Sequence, residues 1–288
     1  MAQLHASVVV PIGSVDRYLD EQLRAVVEQQ CDFDFEVVCA LNRPGATARS
    51  DLQRLVASLG DERVRLVDAS DERGAAHARN IGASDAQTDQ IAFCDADDVV
   101  EQGWLAALVR GLADYDAVSG HVSEDRFCPP RQRNWRPPAT PGGLPSFVGH
   151  PYLLSGNLAV RRGPFDHVGR FRTDLTRCED IALSWALAEA GYTLGYVPDA
   201  VLHYRHRDGL WPMVHQHYLY GRGMSEVLLG VGTPGSAGSD RSLLFRANGQ
   251  KLTRRTMAGS LRRGGIAAGR LRGMVGVSTK RLRAARGG

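Results

Sequence analysis

Gln90-Ile91-Ala92-Phe93-Cys94-Asp95-Ala96-Asp97-Asp98 runs from a short apolar segment straight into three carboxylates. Four apolar residues in a row, bounded by polar ones, read as a buried strand. In α/β sheets ligands bind just beyond the carboxyl ends of such strands, which is where Asp95, Asp97 and Asp98 fall. Carboxylates packed this closely repel one another unless a cation lies between them. Hard oxygen ligands of this kind suit Mg2+ or Mn2+, which keep waters and share their coordination with substrate phosphates. A solvated acidic turn, with Asp97 or Asp98 capping the next helix, satisfies the same spacing, so the segment alone leaves both readings open.

Outward from this strand the chain alternates. Ser7–Pro11, Phe35–Leu41, Val64–Val67 and residues 117–119 read as further buried strands. Leu19, Leu23, Val26 and Val27 recur at helical spacing within residues 18–30, and helices are expected over 47–59, 74–83 and 103–112. Repeated strand–helix alternation with short connections implies an α/β fold with a mainly parallel sheet covered by helices on both faces. Residues 124–151 break the pattern, with seven prolines and several arginines around Trp135 and Phe147, and read as a long surface loop. Order returns with a strand over 156–160, a helix over 180–190 closed by Gly191, short strands over 193–197 and 200–204, and a helix over 211–229. Residues 230–240 read as a linker rich in Gly, Ser and Pro.

Composition narrows the function classes. With 43% apolar and 23% charged residues the chain is neither disordered throughout, nor collagen-like, nor a disulfide scaffold. No stretch approaches the roughly 20 apolar residues of a membrane span, and Met1–Ser7 lacks the start of a secretory signal, so neither is expected. Five scattered cysteines without a C-x-x-C pair suggest reduced thiols in a cytoplasmic protein and no zinc site. The formal charge of +3 conceals a split. Residues 241–288 hold 13 of the 35 Lys and Arg and no acid, leaving 22 basic against 32 acidic side chains in the body. An acidic body therefore carries a basic tail.

Three further segments carry candidate chemistry. Gly74-Ala75-Ala76-His77-Ala78-Arg79-Asn80-Ile81-Gly82 offers Arg79, whose planar fork can hold a phosphate or carboxylate, and Asn80, which can pair its amide. The bland alternative is a small-residue helix packed on the sheet. Cys178-Glu179-Asp180 opens a helix, where a carboxylate serves either as general base or as cap and dipole partner. His203 ends a strand and is a candidate third metal ligand, with His206, His215 and His217 close in sequence.

Taken in order, these segments resemble family 2 glycosyltransferases, the inverting sugar-nucleotide enzymes with the GT-A fold. The resemblance runs from Ser7 to about Gly223: the S-V-V-V-P strand, G-A-A-H-A-R-N-I-G, I-A-F-C-D-A-D-D in the place of the family's Asp-x-Asp motif, G-N-L-A-V-R-R, the pair Glu179-Asp180 and Tyr220-Gly221-Arg222-Gly223. It implies a divalent cation, Mg2+ or Mn2+, held by Asp97 and Asp95 with His203 completing the shell. It further implies Asp180 as general base with Glu179 as its alternative or tuning partner. Pro11, Asn42, Arg79, Asn80, Asp95, Ala96 and Asp97 would bind the nucleotide-sugar donor, and Gly156, Asn157 and Trp135 would lie on the acceptor side. Two places depart from the family pattern: Leu41-Asn42-Arg43-Pro44-Gly45 stands where an acidic pair or Asp-Asn is usual, and Ile12-Gly13-Ser14 lacks the usual aromatic or basic residue followed by Asn.

The domain expectation is a catalytic unit over 1–229, divided into a donor half (1–121) and an acceptor half (122–229), then the linker 230–240 and the tail 241–288. Trp135, Arg131, Arg133 and Arg136 are candidates for a sugar face or a lipid-linked phosphate. The tail mixes arginines with Leu243, Leu244, Phe245, Leu252, Met257, Leu261, Ile266, Leu271 and Met274, a pattern that can lie on an anionic membrane surface, against the alternative of a solvated tail. Nucleic acid is not an expected partner, because the acidic body offers no matching basic face. The implied function is transfer of a sugar to a hydroxyl of a glycan or lipid-linked acceptor in cell-surface glycan synthesis, at the inner membrane face. The competing reading is a non-catalytic sugar-nucleotide-binding protein on the same scaffold, supported by Leu41.

Overall fold

The computed structural model describes residues 4–43, 45–132, 135–230 and 257–286. The first half follows the expected alternation: β1 (Ala6–Ile12), α1 (Arg17–Val27), β2 (Phe35–Leu41), α2 (Ala46–Leu59), β3 (Val64–Asp68), α3 (Ala75–Asp85), β4 (Gln90–Cys94), β5 (Val99–Val100), α4 (Trp104–Gly111) and β6 (Ala117–Ser123). All seven residues of β1 and of β2 are buried, as apolar β-branched runs covered on both faces must be. Asp16 caps α1 by accepting from the amides of Tyr18 and Leu19 at 2.9 and 3.3 Å, and Leu19, Leu23 and Val26 turn inward.

In the second half come the hairpin β7 (Ser146–Phe147) and β8 (His150–Pro151), β9 (Asn157–Arg161), α5 (Arg162–His167), α6 (Glu179–Glu189), β10 (Leu194–His203), α7 (Leu210–Gly230) and α8 (Met257–Arg286). One eight-stranded sheet runs β3-β2-β1-β4-β9-β6-β10-β5. Pairing is parallel among β3, β2, β1 and β4 and again between β6 and β10, but β9 enters antiparallel to both β4 and β6. The two short strands expected after α6 are a single bulged strand, β10, whose register on β6 slips between Val197 and Val201. Pro198 lies in that slip, where its missing N–H breaks no ladder bond.

Two segments are more ordered than their composition implied. The described part of the 124–151 loop is anchored to the body: Cys128, Gln132, Arg136, Thr140 and Phe147 are buried, and the Phe147 ring stacks on Trp185 at 5.7 Å. Of the linker only Gly230 is described, as the end of α7, while 231–240, the tail as far as residue 256, Arg133 and Pro44 lie outside the described residues. The rest of the basic tail is α8, which packs along α7. Glycines permit this: a Cβ on Gly269 would stand 1.9 Å from the Tyr218 carbonyl oxygen, and one on Gly221 would stand 2.1 Å from that of Ile266. Gly265 meets Val214 and Gly273 meets Arg222, so contacts advance in step along both helices and the pair runs parallel. Among the described residues no helix is long and apolar enough to cross a membrane.

Gly269→Leu or Gly221→Leu is therefore expected to destabilise the α7–α8 pair by about 1–3 kcal/mol, the usual cost of overpacking. Gly264→Ala, whose Cβ would meet nothing within 4 Å, should instead hold or raise stability by up to about 1 kcal/mol through helix propensity. Thermal unfolding with limited proteolysis of α8 checks both, and equal losses in all three variants would contradict the packing described.

Candidate active site

The carboxyl end of β4 opens into a cleft of about 1180 Å³, at the point where the sheet turns from parallel pairing with β1 to antiparallel pairing with β9. Its walls include Pro11 and Gly13 after β1, Asp95 to Asp98 after β4, Gly156 before β9, Glu179 and Asp180 at the start of α6, and residues of α7 and α8.

The acidic loop is pinned from both sides. Gln22 of α1 donates to the Asp95 carbonyl at 2.9 Å and accepts from the Val100 amide at 3.0 Å. Arg205, just past β10, donates its amide to Asp98 Oδ1 at 2.8 Å and its Nε to the Asp97 carbonyl at 3.0 Å. Gly156 has no side chain because the Asp95 carboxylate lies over it: a Cβ there would come 2.7 Å from Asp95 Oδ2. Asp97 is exposed to the cleft, yet withdrawal from bulk water, followed by repulsion from Asp95, raises its pKa. Asp98 is buried, Oδ2 has no partner, and burial with Asp95 and Asp97 pushes the carboxyl well above the ordinary range.

Arg79 connects this loop to α6. It is 3% exposed, donates to Asp95 Oδ1 at 2.6 Å and to Glu179 Oε1 at 2.9 Å, and lies 5.6 Å from the Phe171 ring centre. Asp180 is the next residue. It accepts from the Ile181 amide at 2.8 Å, and burial, then Glu179, raises its pKa to about 7. The turn before them is left-handed at Cys178, φ +67°. It is fixed by α7, where Arg222 holds Glu226 at 2.9 Å and Glu226 accepts from Thr176 N and Oγ1 at 2.8 and 3.0 Å. The glycines of Tyr220-Gly221-Arg222-Gly223 are packing residues: Gly223 lets α7 approach the Arg177 carbonyl as Gly221 lets it approach α8.

Several residues assigned to the donor, metal or acceptor lie off the cleft or are committed to the fold. Asn42 donates to the carbonyls of Ala69 and Glu72 and accepts from the Gly74 amide, so it shapes the turn between β3 and α3. Asn80 pairs both ends of its amide with the Phe171 backbone, at 2.8 and 3.1 Å, and so holds the ring beside Arg79. Asn157 lines the cleft, but its side chain is fully buried and committed to the fold: it accepts from Trp104 Nε1 at 2.8 Å and donates to the carbonyls of His121 and Ala200 as a strut between strands. His203 is not a wall residue: alternation along β10 sends Leu202 and Tyr204 to the cleft and His203 toward Glu101, 3.6 Å away. Trp135 is half-buried away from the cleft, whereas the neighbouring Arg136 lines it. Pro11, Ala96 and Gly156 do line it.

Sequence reasoning missed Tyr152, Tyr204 and Tyr220, which line the cleft, and the α8 arginines facing it. Gln216 donates to the hydroxyls of Tyr204 and Tyr220 at 3.0 and 2.9 Å. The aromatic spacing of α7 was the only available signal for this pair.

Among the described residues no group of three or more His, Cys, Asp or Glu is arranged to hold a metal ion. The donor set still fits one that completes its shell with substrate oxygens and water: Asp95 and Asp97 are hard carboxylates, Asp97 is exposed to the cleft, and the buried Asp98 Oδ2 beside them has no hydrogen-bond partner.

Comparison with known proteins follows the same lines. The chain is 29% identical over 217 residues to the pre-mycofactocin glycosyltransferase of Mycobacterium tuberculosis, covering 60% of this chain and 43% of that protein. It is 32% identical over 111 residues to glycosyltransferase GlyG of Streptococcus pneumoniae, covering 38% of this chain and 36% of that one. It thus spans less than half the length of these relatives. In three dimensions it resembles the mannosyltransferase PcManGT of Pyrobaculum calidifontis, solved with GDP-Man and Mn2+ (TM-score 0.64, 19% identity, 98% of this chain and 80% of that one). It also resembles S. aureus TarS (TM-score 0.57, 17% identity, 79% and 66%), and both likenesses establish the GT-A fold. The model of Glycosyl transferase family 2 matches residues 7–169, more than half of the sequence, and the chain belongs to that family.

Proposed function

We propose that the protein is an inverting glycosyltransferase that moves a sugar from a nucleotide-sugar donor to a hydroxyl acceptor. The observation that carries this reading is one cleft in which Asp95, Asp97 and Asp180 all lie, braced by Arg79 between Asp95 and Glu179. Family membership supports the reaction class, and the likeness to a mannosyltransferase bound to GDP-Man and Mn2+ supports the donor class.

In this reading Asp97 and Asp95 would hold Mg2+ or Mn2+ at the donor side of the cleft. A divalent ion, when bound, offsets the charge that gathers on the departing group. Pro11 and Ala96 shape the donor wall, and Gly156 leaves room beside Asp95. Asp180 takes the proton of the acceptor hydroxyl as its oxygen attacks the anomeric carbon from the face opposite the diphosphate. A base poised near neutrality combines the required charge state with proton affinity. Glu179 is anchored on Arg79, which assigns the proton to Asp180 and makes Arg79 a positioning residue.

The acceptor belongs to a glycan or a lipid-linked intermediate of cell-surface glycan synthesis, met at the cytoplasmic face of a membrane. The exposed Arg272 of α8, together with the exposed Trp211, Met257 and Val275, supports contact with an anionic surface.

Four measurements test this reading. Slow hydrolysis of nucleotide-sugars, screened with and without Mn2+ or Mg2+, should be stimulated by the ion in the wild type and not in Asp97→Asn; no stimulation by either ion would sink the roles of Asp95 and Asp97. Asp180→Asn should keep donor binding and lose about 10²–10⁴-fold in turnover. Because the base works as the carboxylate, wild-type kcat/KM should fall as pH drops through about 7, and a profile flat from pH 5 to 8 would remove Asp180 from the role. A scaffold that only binds would show no turnover to lose. Finally, the protein should sediment with anionic but not neutral vesicles, and less so at high salt.

A further inference from the structure

At one end of the cleft stand basic side chains that this chemistry does not use. Arg136 is 9% exposed, yet none of its three guanidinium nitrogens has a hydrogen-bond partner. Arg262 of α8 lines the same wall, and its Nε is likewise buried without a partner. Among the described residues neither forms an ion pair, and the wall carboxylate Glu124 is engaged by His206 Nε2 at 2.9 Å. Burial lowers the pKa of both arginines, and in Arg262 repulsion from Arg263 and Arg136 adds to it. His217, beside them, does not share the charge: burial, with help from Arg262 and Arg136, pulls it down to about 4.

A guanidinium cannot escape burial by losing its proton. An uncompensated buried charge is among the most unfavourable features a fold can retain, and each orphaned group calls for a ligand or a partner. Planar forks meet phosphate oxygens two at a time, which makes phosphate the matching chemistry. The arginines are also set apart from the acidic loop. Asp97 and Asp98 act on Tyr204 and Asp180 acts on Tyr220, whereas the groups that act on Arg136 are Tyr204, Cys128, Glu124 and Tyr220, none of them from the acidic loop.

We infer that Arg136 and Arg262 form a phosphate pocket on the acceptor side of the cleft, so that the acceptor is an alcohol carrying a phosphate group. The substrate assignment rests on the glycosyltransferase reading, while the pocket rests on the arginines alone. The donor diphosphate is the other source of the same chemistry, and competition separates the two.

The test uses the full chain with inorganic phosphate as probe, at constant ionic strength, followed by thermal shift and calorimetry. Phosphate should raise the melting temperature saturably, and should still do so with saturating UDP or GDP plus Mn2+. Arg136→Met should weaken phosphate binding about tenfold or more while nucleoside diphosphate binding stays within about twofold. Without phosphate it should melt no lower than wild type, because a buried unpaired charge has been removed. Arg262→Met should weaken phosphate binding in the same sense. Three results would overturn the pocket: undiminished phosphate binding in Arg136→Met, loss of native stability in that variant without phosphate, or displacement of phosphate by the nucleoside diphosphate. Phosphate held through Arg136 by a protein that binds neither UDP nor GDP would overturn the glycosyltransferase reading and leave the pocket standing.

Discussion

Arg79 carries a positive charge into the interior between two carboxylates from opposite halves of the fold, Asp95 at the end of β4 and Glu179 at the start of α6. Removing one member of such a buried set costs about 3–5 kcal/mol, since it strands the others without compensation. The walls of the cleft are thereby tied: α6 cannot swing out without abandoning Glu179 to Arg79, and the acidic loop cannot move without releasing Asp95. Asn80 serves the same unit from behind, fixing the Phe171 backbone so that its ring stays beside the guanidinium. Asp180, one residue beyond Glu179, inherits its position from this arrangement.

The cleft is electrically divided. Crowded carboxylates, two of them with raised pKa, occupy the β4 end, and Arg136 and Arg262, with buried nitrogens that lack hydrogen-bond partners, occupy another wall. The charge split visible along the chain is thus folded into one cavity, because glycines let α8 lie against α7. Tyr204 and Tyr220, joined through Gln216, also line this cleft.

Much of this was legible in the sequence. Apolar β-branched runs gave β1, β2 and β4, since a strand covered on both faces has few other ways to be written. The family and the GT-A fold followed from several motifs in order, and the match over residues 7–169 and the structural likenesses bear that out. Side-chain roles were harder to read. Asn42, Asn80 and Asn157 are the residue types that hold ligands, but an amide ties a backbone turn just as well, and the choice depends on neighbours distant in the chain. His203 lies off the cleft wall through strand alternation, which cannot be phased while β10 reads as two pieces. α8 escaped because its glycines weaken helix propensity in isolation and acquire meaning only against α7.

The family model matches residues 7–169, a span that contains Arg79 and Asp95, while Glu179, Asp180, α7 and α8 lie beyond it. A chimera that kept the first part and took a foreign second part would inherit a guanidinium with one anchor supplied and the other missing. Any graft intended to change what the cleft accepts must therefore import an acidic residue at the junction helix. Exchange of recognition modules at this seam is gated by charge neutrality before it is gated by shape.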